Sequence, residues 1–185
     1  IAQSMRSYNN PYQGPRRVRT EWTRPFKKAK KPIKNIMKEA APVLLYVGCT
    51  GAYNLPARGI PTATASIFQK IGVDFGILGE NEICCGSTAM RLGDADEFIR
   101  VAETNLETFK KAHDEQGVQT IVTSCAGCYR AIKKDYSLSD EYDAMLDGVE
   151  IIHTTDFLYR LFQEGKLKFT REVPWKVTYH DPCHT

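Results

Sequence analysis

The chain lacks the features that would assign it to a membrane or secreted class. Its 185 residues contain no run of 18 or more apolar residues, so we expect no membrane-spanning helix. No secretory signal peptide is visible. The sequence also lacks an initiator methionine and stops at Thr185, shortly after its sixth cysteine. We therefore expect the chain to be a fragment of a longer protein.

A strong charge imbalance is also lacking. The net charge is +3 at pH 7, with 42% hydrophobic and 25% charged residues, which is close to the average for globular proteins. The length is sufficient for one domain with a hydrophobic core, or for one domain with an arm. We therefore expect most of the chain to fold.

The first 40 residues contain few of the apolar patterns that indicate helices or strands. They concentrate basic residues instead, with Tyr12, Trp22 and Phe26 between them. This composition would suit a nucleic-acid arm, because cations neutralise phosphates and aromatic rings stack on bases. No recognition motif accompanies the charge, so we favour an extended basic linker or arm over residues 1–40 and expect no nucleic-acid partner. The basic residues are Arg16, Arg17, Arg19, Arg24, Lys27, Lys28, Lys30, Lys31 and Lys34.

Strand and helix patterns alternate from residue 43 onward. Short apolar or β-branched runs predict strands, and apolar residues at helical spacing, bounded by proline or glycine, predict helices. This alternation is typical of an α/β fold with a mainly parallel sheet and flanking helices. We predict strands at 43–47, 73–78, 118–123, 149–152 and 176–179, and helices at 61–71, 94–116, 126–136 and 155–165.

The six cysteines follow predicted strands. Cys49 comes after the first strand, the vicinal pair Cys84–Cys85 after the second, and the CxxC motif Cys125–Cys128 after the third. Cys183 follows the last strand. In open parallel sheets the ligand site lies beyond the carboxyl ends of the strands. The sequence therefore predicts that the cysteines lie where this architecture places its chemistry.

A disulfide framework is one way to use six cysteines. Domains stapled by disulfides are usually small and rich in loops, whereas this chain has long regular α/β patterns. The CxxC motif and the vicinal pair are more typical of metal or cluster ligands. We therefore expect a reducing, cytoplasmic compartment.

Several kinds of thiol site remain open on spacing alone. A structural zinc ion takes four ligands, commonly from two CxxC knuckles, and adjacent cysteines are awkward for one tetrahedral ion. An ordinary cubane cluster usually binds a compact repeated CxxC run, which the chain lacks. A thioredoxin-type pair would leave three cysteines unexplained. The spacing favours an iron–sulfur assembly that is larger or more open than a cubane, with zinc and buried structural thiols as the alternatives.

Four cysteine-containing stretches form a specific combination: Val47–Cys49, Glu82–Gly86, Thr123–Tyr129 and Tyr179–His184. Together they resemble the cysteine-rich CCG domain of the catalytic subunit of heterodisulfide reductase. Relatives of that domain include similar subunits in membrane complexes of sulfate reducers and the iron–sulfur subunits of glycolate and lactate oxidases.

The resemblance implies a domain division and a cofactor. Residues 1–40 would be the linker after a ferredoxin-like domain, residues 41–172 the first CCG domain, and residues 173–185 the truncated start of a second repeat. Each full motif of the family is similar to a binding site for a noncubane [4Fe-4S] cluster. Carried over to this chain, the ligands would be Cys49, Cys84, Cys85, Cys125 and Cys128, with Cys183 as the first metal ligand of the second repeat.

The resemblance also implies an activity, that of one subunit in a heterodisulfide reductase-like oxidoreductase. A disulfide needs two electrons, whereas an iron–sulfur cluster delivers one at a time, so an iron with a displaceable position would have to retain the half-reduced substrate. Electrons would come from upstream iron–sulfur clusters or a flavin subunit of a multisubunit complex. A membrane cytochrome subunit is one further partner, and would hold the complex at the cytoplasmic face. The alternatives are an electron-transfer subunit of a glycolate or lactate dehydrogenase and a zinc-stabilised interaction module.

Two histidines are candidate catalytic residues. His153 and His180 follow or end predicted strands near the cysteines. Imidazole titrates near neutral pH, so either side chain could donate a proton to a leaving thiolate. A hydrogen-bonded structural role is the alternative for both.

Glycines and basic residues also accompany the cysteines. Gly48, Gly86 and Gly127 are neighbours of cysteines, where a missing side chain would let the backbone approach a bulky cluster. Basic residues after the cysteines could attract an anionic thiol, or could simply lie on solvated helix faces. They are Arg91, Arg130, Lys133 and Lys134.

Overall fold

A single parallel sheet forms the centre of the computed structural model, which describes residues 1–27 and 32–182. The strand order is β1-β3-β2-β4-β5, and every neighbouring pair is parallel. The predicted α/β fold with a parallel sheet is confirmed. The strands are β1 Lys34–Asn35, β2 Val43–Tyr46, β3 Phe75–Ile77, β4 Thr120–Thr123 and β5 Glu150–His153.

Helices connect and cover these strands. The α-helices are α1 Ala2–Tyr8, α2 Gly48–Tyr53, α3 Gly59–Ile71, α4 Ser87–Arg91, α5 Ala95–Gln116, α6 Ala126–Arg130, α7 Asp140–Ala144 and α8 Thr154–Gln163. A turn of π-helix at Ala131–Asp135 extends α6. Short 3₁₀ helices occur at Arg16–Val18, Glu21–Phe26, Pro56–Arg58 and Gly79–Asn81.

The longest helix, α5, illustrates how the sequence sets these bounds. The Asp94 side chain accepts a hydrogen bond from the N–H of Glu97 and caps the helix. Acidic residues in the first turn favour the positive end of the helix dipole. Gly117, at φ 73°, ends the helix in the left-handed conformation that glycine adopts readily.

The core lies on both faces of the sheet. Side chains alternate along each strand, so Leu44 and Tyr46 face one layer while Val43 and Leu45 face the other. The first layer contains the apolar stripe of α5, and Phe109 packs edge-on against Tyr46 at 5.7 Å between ring centroids. The second layer contains the aromatic residues of α3 and α8. Both faces are therefore buried, as parallel sheets require.

The N-terminal segment is not the extended arm that its composition predicted. It contains α1 and two 3₁₀ helices, and it packs against both layers of the core. Met5 is buried in the first layer, and Trp22 and Phe26 are buried in the second. Trp22 and Phe26 form a single i, i+4 pair and Met5 stands alone, so no sustained periodic pattern marks them and their burial is set by tertiary contacts. Lys28, Lys30 and Lys31 lie outside the described residues.

The strand predicted at 176–179 is also wrong. Residues 168–182 are largely exposed and contain no helix or strand. The alternating apolar pattern Val173, Trp175, Val177 and Tyr179 is present but exposed, because a strand needs a neighbour to complete its hydrogen bonds. Cys183 lies outside the described residues, so the second repeat and the divisions at 41 and 173 stay predictions.

Two smaller observations complete the fold. The polar stretch 137–148 contains the short helix α7, which the side chain of Ser139 caps. Within the described ranges, none of the helices combines the length and the apolar character needed to cross a membrane.

Candidate metal centre

Three cysteine motifs lie at the carboxyl ends of the three central strands. Cys49 is in α2, directly after β2, and the pair Cys84–Cys85 follows β3 and a 3₁₀ turn. Cys125 occupies the N-cap of α6 after β4, with Cys128 in the first turn. Because β3, β2 and β4 are adjacent in the sheet, the fold brings the three motifs to one edge.

The five thiols form one continuous series. Neighbouring thiols shift one another's pKa, which connects Cys49 to Cys84, Cys84 to Cys85, Cys85 to Cys128 and Cys128 to Cys125. All five are free cysteines, and Cys125 is the partly exposed one, while the other four are buried. Within residues 1–27 and 32–182, no three Cys, His, Asp or Glu side chains are grouped as the ligands of one metal ion would be.

Proton affinity differs between the thiols of this series, and two of them have lowered pKa values. Hydrogen bonds from Cys128 and Cys84 outweigh burial and lower the pKa of Cys85 to about 5. The Cys128 thiol and two backbone N–H groups lower the pKa of Cys125 to about 6.

The other three thiols have raised pKa values. The hydrogen bond with Cys49 lowers the pKa of Cys84, but the bond with Cys85 and burial outweigh it and raise the value to about 12. The pKa of Cys49 is raised chiefly by its hydrogen bond to Cys84, and that of Cys128 by its bond to Cys125. Five thiolates at this spacing would repel one another, so full deprotonation requires bound cations, as metal ligation supplies.

Glycines allow the motifs to approach this closely. Gly48 has φ +75°, and a Cβ atom there would lie 3.0 Å from the Sγ of Cys128. Gly86 has φ +77°, but its Cβ would meet the Phe98 ring at 2.9 Å, so helix packing rather than sulfur is its constraint. The expected role beside sulfur therefore fits Gly48 best.

A buried ion pair lies beside Cys49. The Nη2 of Arg19 is 2.7 Å from the Oε1 of Glu82, and both side chains are 3% exposed. The Glu82 carboxylate also accepts the backbone N–H groups of Val47 at 3.0 Å and Gly48 at 2.8 Å. Each terminal nitrogen of Arg19 is 3.7 Å from the Cys49 sulfur. Burial lowers the pKa of Arg19, but attraction to Glu82 and Cys49 prevails and raises it well above its ordinary value.

Sequence reasoning missed this pair. It placed Arg19 among the basic residues of a surface arm, and no local pattern connects positions 63 residues apart. The one available signal was the acidic residue Glu82 directly before an apolar residue and two cysteines. A buried carboxylate needs a cationic partner, but the sequence does not say which arginine or lysine supplies it.

Buried side chains fix the backbone of the vicinal cysteine pair. Three consecutive carbonyl groups accept hydrogen bonds from core side chains, and a buried Asn–Tyr contact connects two of the donors. The bonds join Tyr46 Oη to Ile83 O at 2.7 Å, Asn105 Nδ2 to Cys84 O at 2.8 Å, Tyr136 Oη to Cys85 O at 2.9 Å, and Asn105 Nδ2 to Tyr136 Oη at 2.9 Å. The N–H of Cys84 donates to the carbonyl of Asn9, at 2.9 Å. This network accounts for how two adjacent cysteines are held in one series.

The two candidate histidines are placed differently. His153 ends β5 and caps α8, with its Nδ1 2.8 Å from the Thr155 Oγ1 and its ring 6.0 Å from that of Tyr129, the neighbour of Cys128. These contacts give His153 a hydrogen-bonded structural role at the rim of the site. His180 is exposed on the segment without a strand, so the strand end expected to place it near the cysteines is absent. Proton donation by either stays a prediction.

The basic residues near the cysteines have partners on their own helices. Arg91 donates to the Ser87 hydroxyl at 3.2 Å, and Arg130 pairs with Asp135 at 3.4 Å. Lys133 donates to the Tyr129 hydroxyl. Lys134 is exposed. These contacts favour helix-face roles over recognition of an anionic thiol.

A small apolar cavity adjoins Cys125. It measures about 150 Å³ and lies between α2, α3 and the end of β4. Its lining residues include Leu45, Val47, Ala57, Ile60 and Pro61. Three clefts of about 320, 480 and 500 Å³ are larger, but their lining among the described residues contains no cysteine. The small cavity is therefore the one next to the candidate chemistry.

Comparison with known proteins identifies the family. Residues 43–133 match the family described as a cysteine-rich domain, CCG. Residues 43–133 belong to the CCG cysteine-rich domain family. The resemblance recognised from the four motifs is thereby confirmed, and the match contains all five cysteines of the series.

Relatives of this chain include components of redox enzymes. It is 36% identical to the D-type subunit of the dihydromethanophenazine:CoB–CoM heterodisulfide reductase of Methanosarcina mazei, over 96% of this chain and 40% of the relative. It is also 36% identical to the EtfAB:quinone oxidoreductase of Syntrophomonas wolfei, over 76% of this chain and 18% of the relative. The B-type subunit of the fumarate reductase (CoM/CoB) of Methanothermobacter marburgensis is 32% identical, over 75% of this chain and 25% of the relative.

The chain spans about 40% of the length of the heterodisulfide reductase subunits that it matches. No solved structure matches the chain. The chain is therefore similar to oxidoreductase subunits over part of their length.

Proposed function

We propose that this CCG domain binds a noncubane [4Fe-4S] cluster through Cys49, Cys84, Cys85, Cys125 and Cys128 and serves as the disulfide-reducing part of an iron–sulfur oxidoreductase subunit. The observation that carries the proposal is the continuous series of five thiols at the sheet edge. Four of the thiols are buried, and the fifth opens toward an apolar cavity.

The residues present fit such a cluster. Five sulfurs exceed what one tetrahedral zinc ion takes. The missing side chain at Gly48 leaves room beside the Cys128 sulfur. The Nε of Arg19 is a buried donor without a hydrogen-bond partner in the described part of the chain, next to the thiols, where an anionic group would use it. When bound, an iron–sulfur cluster supplies electrons one at a time.

The cavity beside Cys125 supports a sulfur substrate with an alkyl arm. Its volume of about 150 Å³ is below that of ordinary small-molecule pockets, so it suits a short apolar chain rather than a whole cofactor-sized ligand. Apolar side chains would orient this arm and exclude water, while the partly exposed Cys125 lies at the opening. Reduction of one disulfide breaks its S–S bond, consumes two electrons and two protons, and releases two thiols.

Electron transfer without a sulfur substrate is the second candidate. Electron transfer is favoured by relatives whose names mention no disulfide substrate, such as the EtfAB:quinone oxidoreductase. In either case we expect partners among iron–sulfur or flavin subunits, with electrons from upstream clusters. A membrane cytochrome subunit would place the complex at the cytoplasmic face, and one relative is named a probable membrane-anchored ferredoxin.

Metal and sulfide analysis of the anaerobically purified full-length protein tests the proposal, together with electron paramagnetic resonance before and after addition of a short alkyl thiol. We expect about four iron and four sulfide per full motif, with a thiol-dependent signal. Cluster signals that thiols leave unchanged would favour electron transfer. One zinc per motif without sulfide would exclude both and leave an interaction module.

A further inference from the structure

Arg19 reaches the thiol series from outside the CCG motif. It lies directly after the 3₁₀ turn Arg16–Val18, whereas the family match begins at residue 43. Its side chain is nevertheless as buried as the core, at 3% exposure. A fully charged guanidinium is costly to bury, so the fold must offset it with several contacts.

Arg19 contacts groups that hold the loop before the vicinal pair, and it also contacts the sulfur of Cys49. On one side the guanidinium pairs with Glu82, and its Nη2 also donates to the carbonyl of Ile83 at 3.1 Å. On the other side both terminal nitrogens are 3.7 Å from the Sγ of Cys49, within hydrogen-bonding distance for sulfur. The same charge therefore holds the loop before the vicinal pair and faces a predicted cluster ligand.

Glu82 balances this charge. Its carboxylate accepts from Arg19 and from the N–H groups of Val47 and Gly48, so it fixes the turn that delivers Cys49. The Arg19 cation is in contact with the Cys49 sulfur, whereas the Glu82 anion contacts Arg19 and the backbone directly before Cys49. The Arg19 cation stabilises an electron added at the sulfur, whereas the Glu82 anion destabilises it.

We propose that Arg19 is a positioning residue that donates to the Cys49 sulfur and raises the reduction potential of the bound cluster, while Glu82 sets Arg19 in place and partly opposes its charge. The inference rests on the proposed function, because it requires a cluster at Cys49. Hydrogen bonds to ligand sulfurs and nearby charges are established determinants of iron–sulfur potentials. A cation favours the reduced, more negative state, so its loss must lower the potential.

The sign of the effect separates this role from a purely structural one. Removing the cation in Arg19→Gln lowers the potential, and removing the anion in Glu82→Gln raises it. A structural role predicts loss of cluster in both variants but no opposed shifts. We expect the equilibrium constant for one-electron reduction to fall about tenfold in R19Q, which is about 59 mV for a one-electron couple.

The experiment is a redox titration of the anaerobically purified full-length protein, followed by electron paramagnetic resonance, with iron and sulfide measured on each sample. Arg19→Lys keeps the charge but loses the second N–H···S contact, so its potential should lie between those of the parent and R19Q. Arg24→Gln is the matched control, because this arginine is on the same segment and pairs with Glu21 at the surface. Its potential should stay at the parent value.

Each outcome decides between the alternatives. Opposed shifts in R19Q and E82Q support the inference, and equal potentials or shifts of the same sign overturn it. Should R19Q lose its cluster because Glu82 is left unpaired, the comparison of R19K with E82Q decides the sign. A parent protein without iron and sulfide would refute the proposed function, whereas a parent with cluster and unshifted variants would refute only the role of Arg19.

Discussion

The two halves of the thiol series are held in different ways. Around Cys84–Cys85 three consecutive carbonyls and a buried ion pair are tied into the core, through Tyr46, Asn105, Tyr136 and the Arg19–Glu82 pair. Around Cys125 the support comes from the local backbone, since its carbonyl accepts the N–H of Tyr129 at 2.8 Å. Its N–H is 3.4 Å from the Thr123 hydroxyl, its side chain is partly exposed, and a cavity lies beside it.

This difference suits the vicinal half of the series to holding metal ligands and the CxxC half to meeting a substrate. A buried polar network with this many side-chain hydrogen bonds permits few alternative arrangements, so the vicinal half can hold metal ligands in fixed positions. A partly exposed cysteine beside an apolar cavity can meet a substrate. Changes in the vicinal half should therefore act on stability and cluster content, and changes in the CxxC half on the response to thiols.

The largest expected effect comes from breaking the buried ion pair. Glu82→Ala leaves the Arg19 guanidinium buried without its counter-ion, which should lower the free energy of unfolding by about 3–5 kcal/mol. Urea denaturation measures the loss. Glu21→Ala is the control, since its exposed pair with Arg24 should contribute about 0–1 kcal/mol. Equal effects in the two variants would mean that burial of the pair is unimportant.

Removing a hydroxyl from the vicinal network should have the next largest effect. Tyr136→Phe deprives the Cys85 carbonyl and the Asn105 amide of a partner, at a cost of about 1–3 kcal/mol. Chemical denaturation again gives the value. Tyr142→Phe removes a hydroxyl that bonds Glu103 at the surface and should leave stability unchanged. A neutral Tyr136→Phe would show that the network does not hold the pair.

Alanine in place of Gly48 or of Gly72 should separate the cost of backbone strain from the effect of crowding a sulfur. Gly48→Ala and Gly72→Ala both place alanine at positive φ, +75° and +79°, and each should cost about 1–2 kcal/mol. Only the first puts a Cβ against a sulfur, at 3.0 Å from Cys128, whereas nothing lies within 4 Å at the second. Iron and sulfide content should fall in G48A alone. Similar losses in G72A would trace the defect to backbone strain.

The smallest effect on the fold is expected from filling the cavity beside Cys125. Ala57→Phe should fill the cavity beside Cys125 and abolish the thiol-dependent magnetic signal, while iron content and denaturation stay unchanged. Ala95→Phe adds the same ring at the exposed start of α5, away from the cavity, and should preserve the signal. A full thiol response in A57F would place substrate access elsewhere.

Local patterns account for the part of the fold that was predicted correctly. Four of the five observed strands were placed from short apolar or β-branched runs, and Asp94 and Gly117 bounded α5 through a cap and a stop. Because a parallel sheet brings its strand ends to one edge, the meeting of the three cysteine motifs also followed from the order of elements.

What the sequence could not supply depends on distant contacts. Trp22 and Phe26 are a single i, i+4 pair without further apolar repeats, and only tertiary packing makes the N-terminal segment part of the core. The apolar alternation of residues 173–179 is a real strand pattern, but alternation alone does not provide a neighbouring strand. The Arg19–Glu82 pair joins positions 63 apart, and nothing in the local sequence singles out one arginine among the basic residues.

The burial of Arg19 has a consequence for anyone who would graft this domain into another protein. A cut at residue 41, where the motif-based boundary falls, would retain Glu82 and discard its guanidinium. It would also discard Met5, Trp22 and Phe26, which fill parts of both core layers, and the Asn9 carbonyl that binds the N–H of Cys84. The transferable unit therefore includes α1 and the segment that carries Arg19, well before the first cysteine.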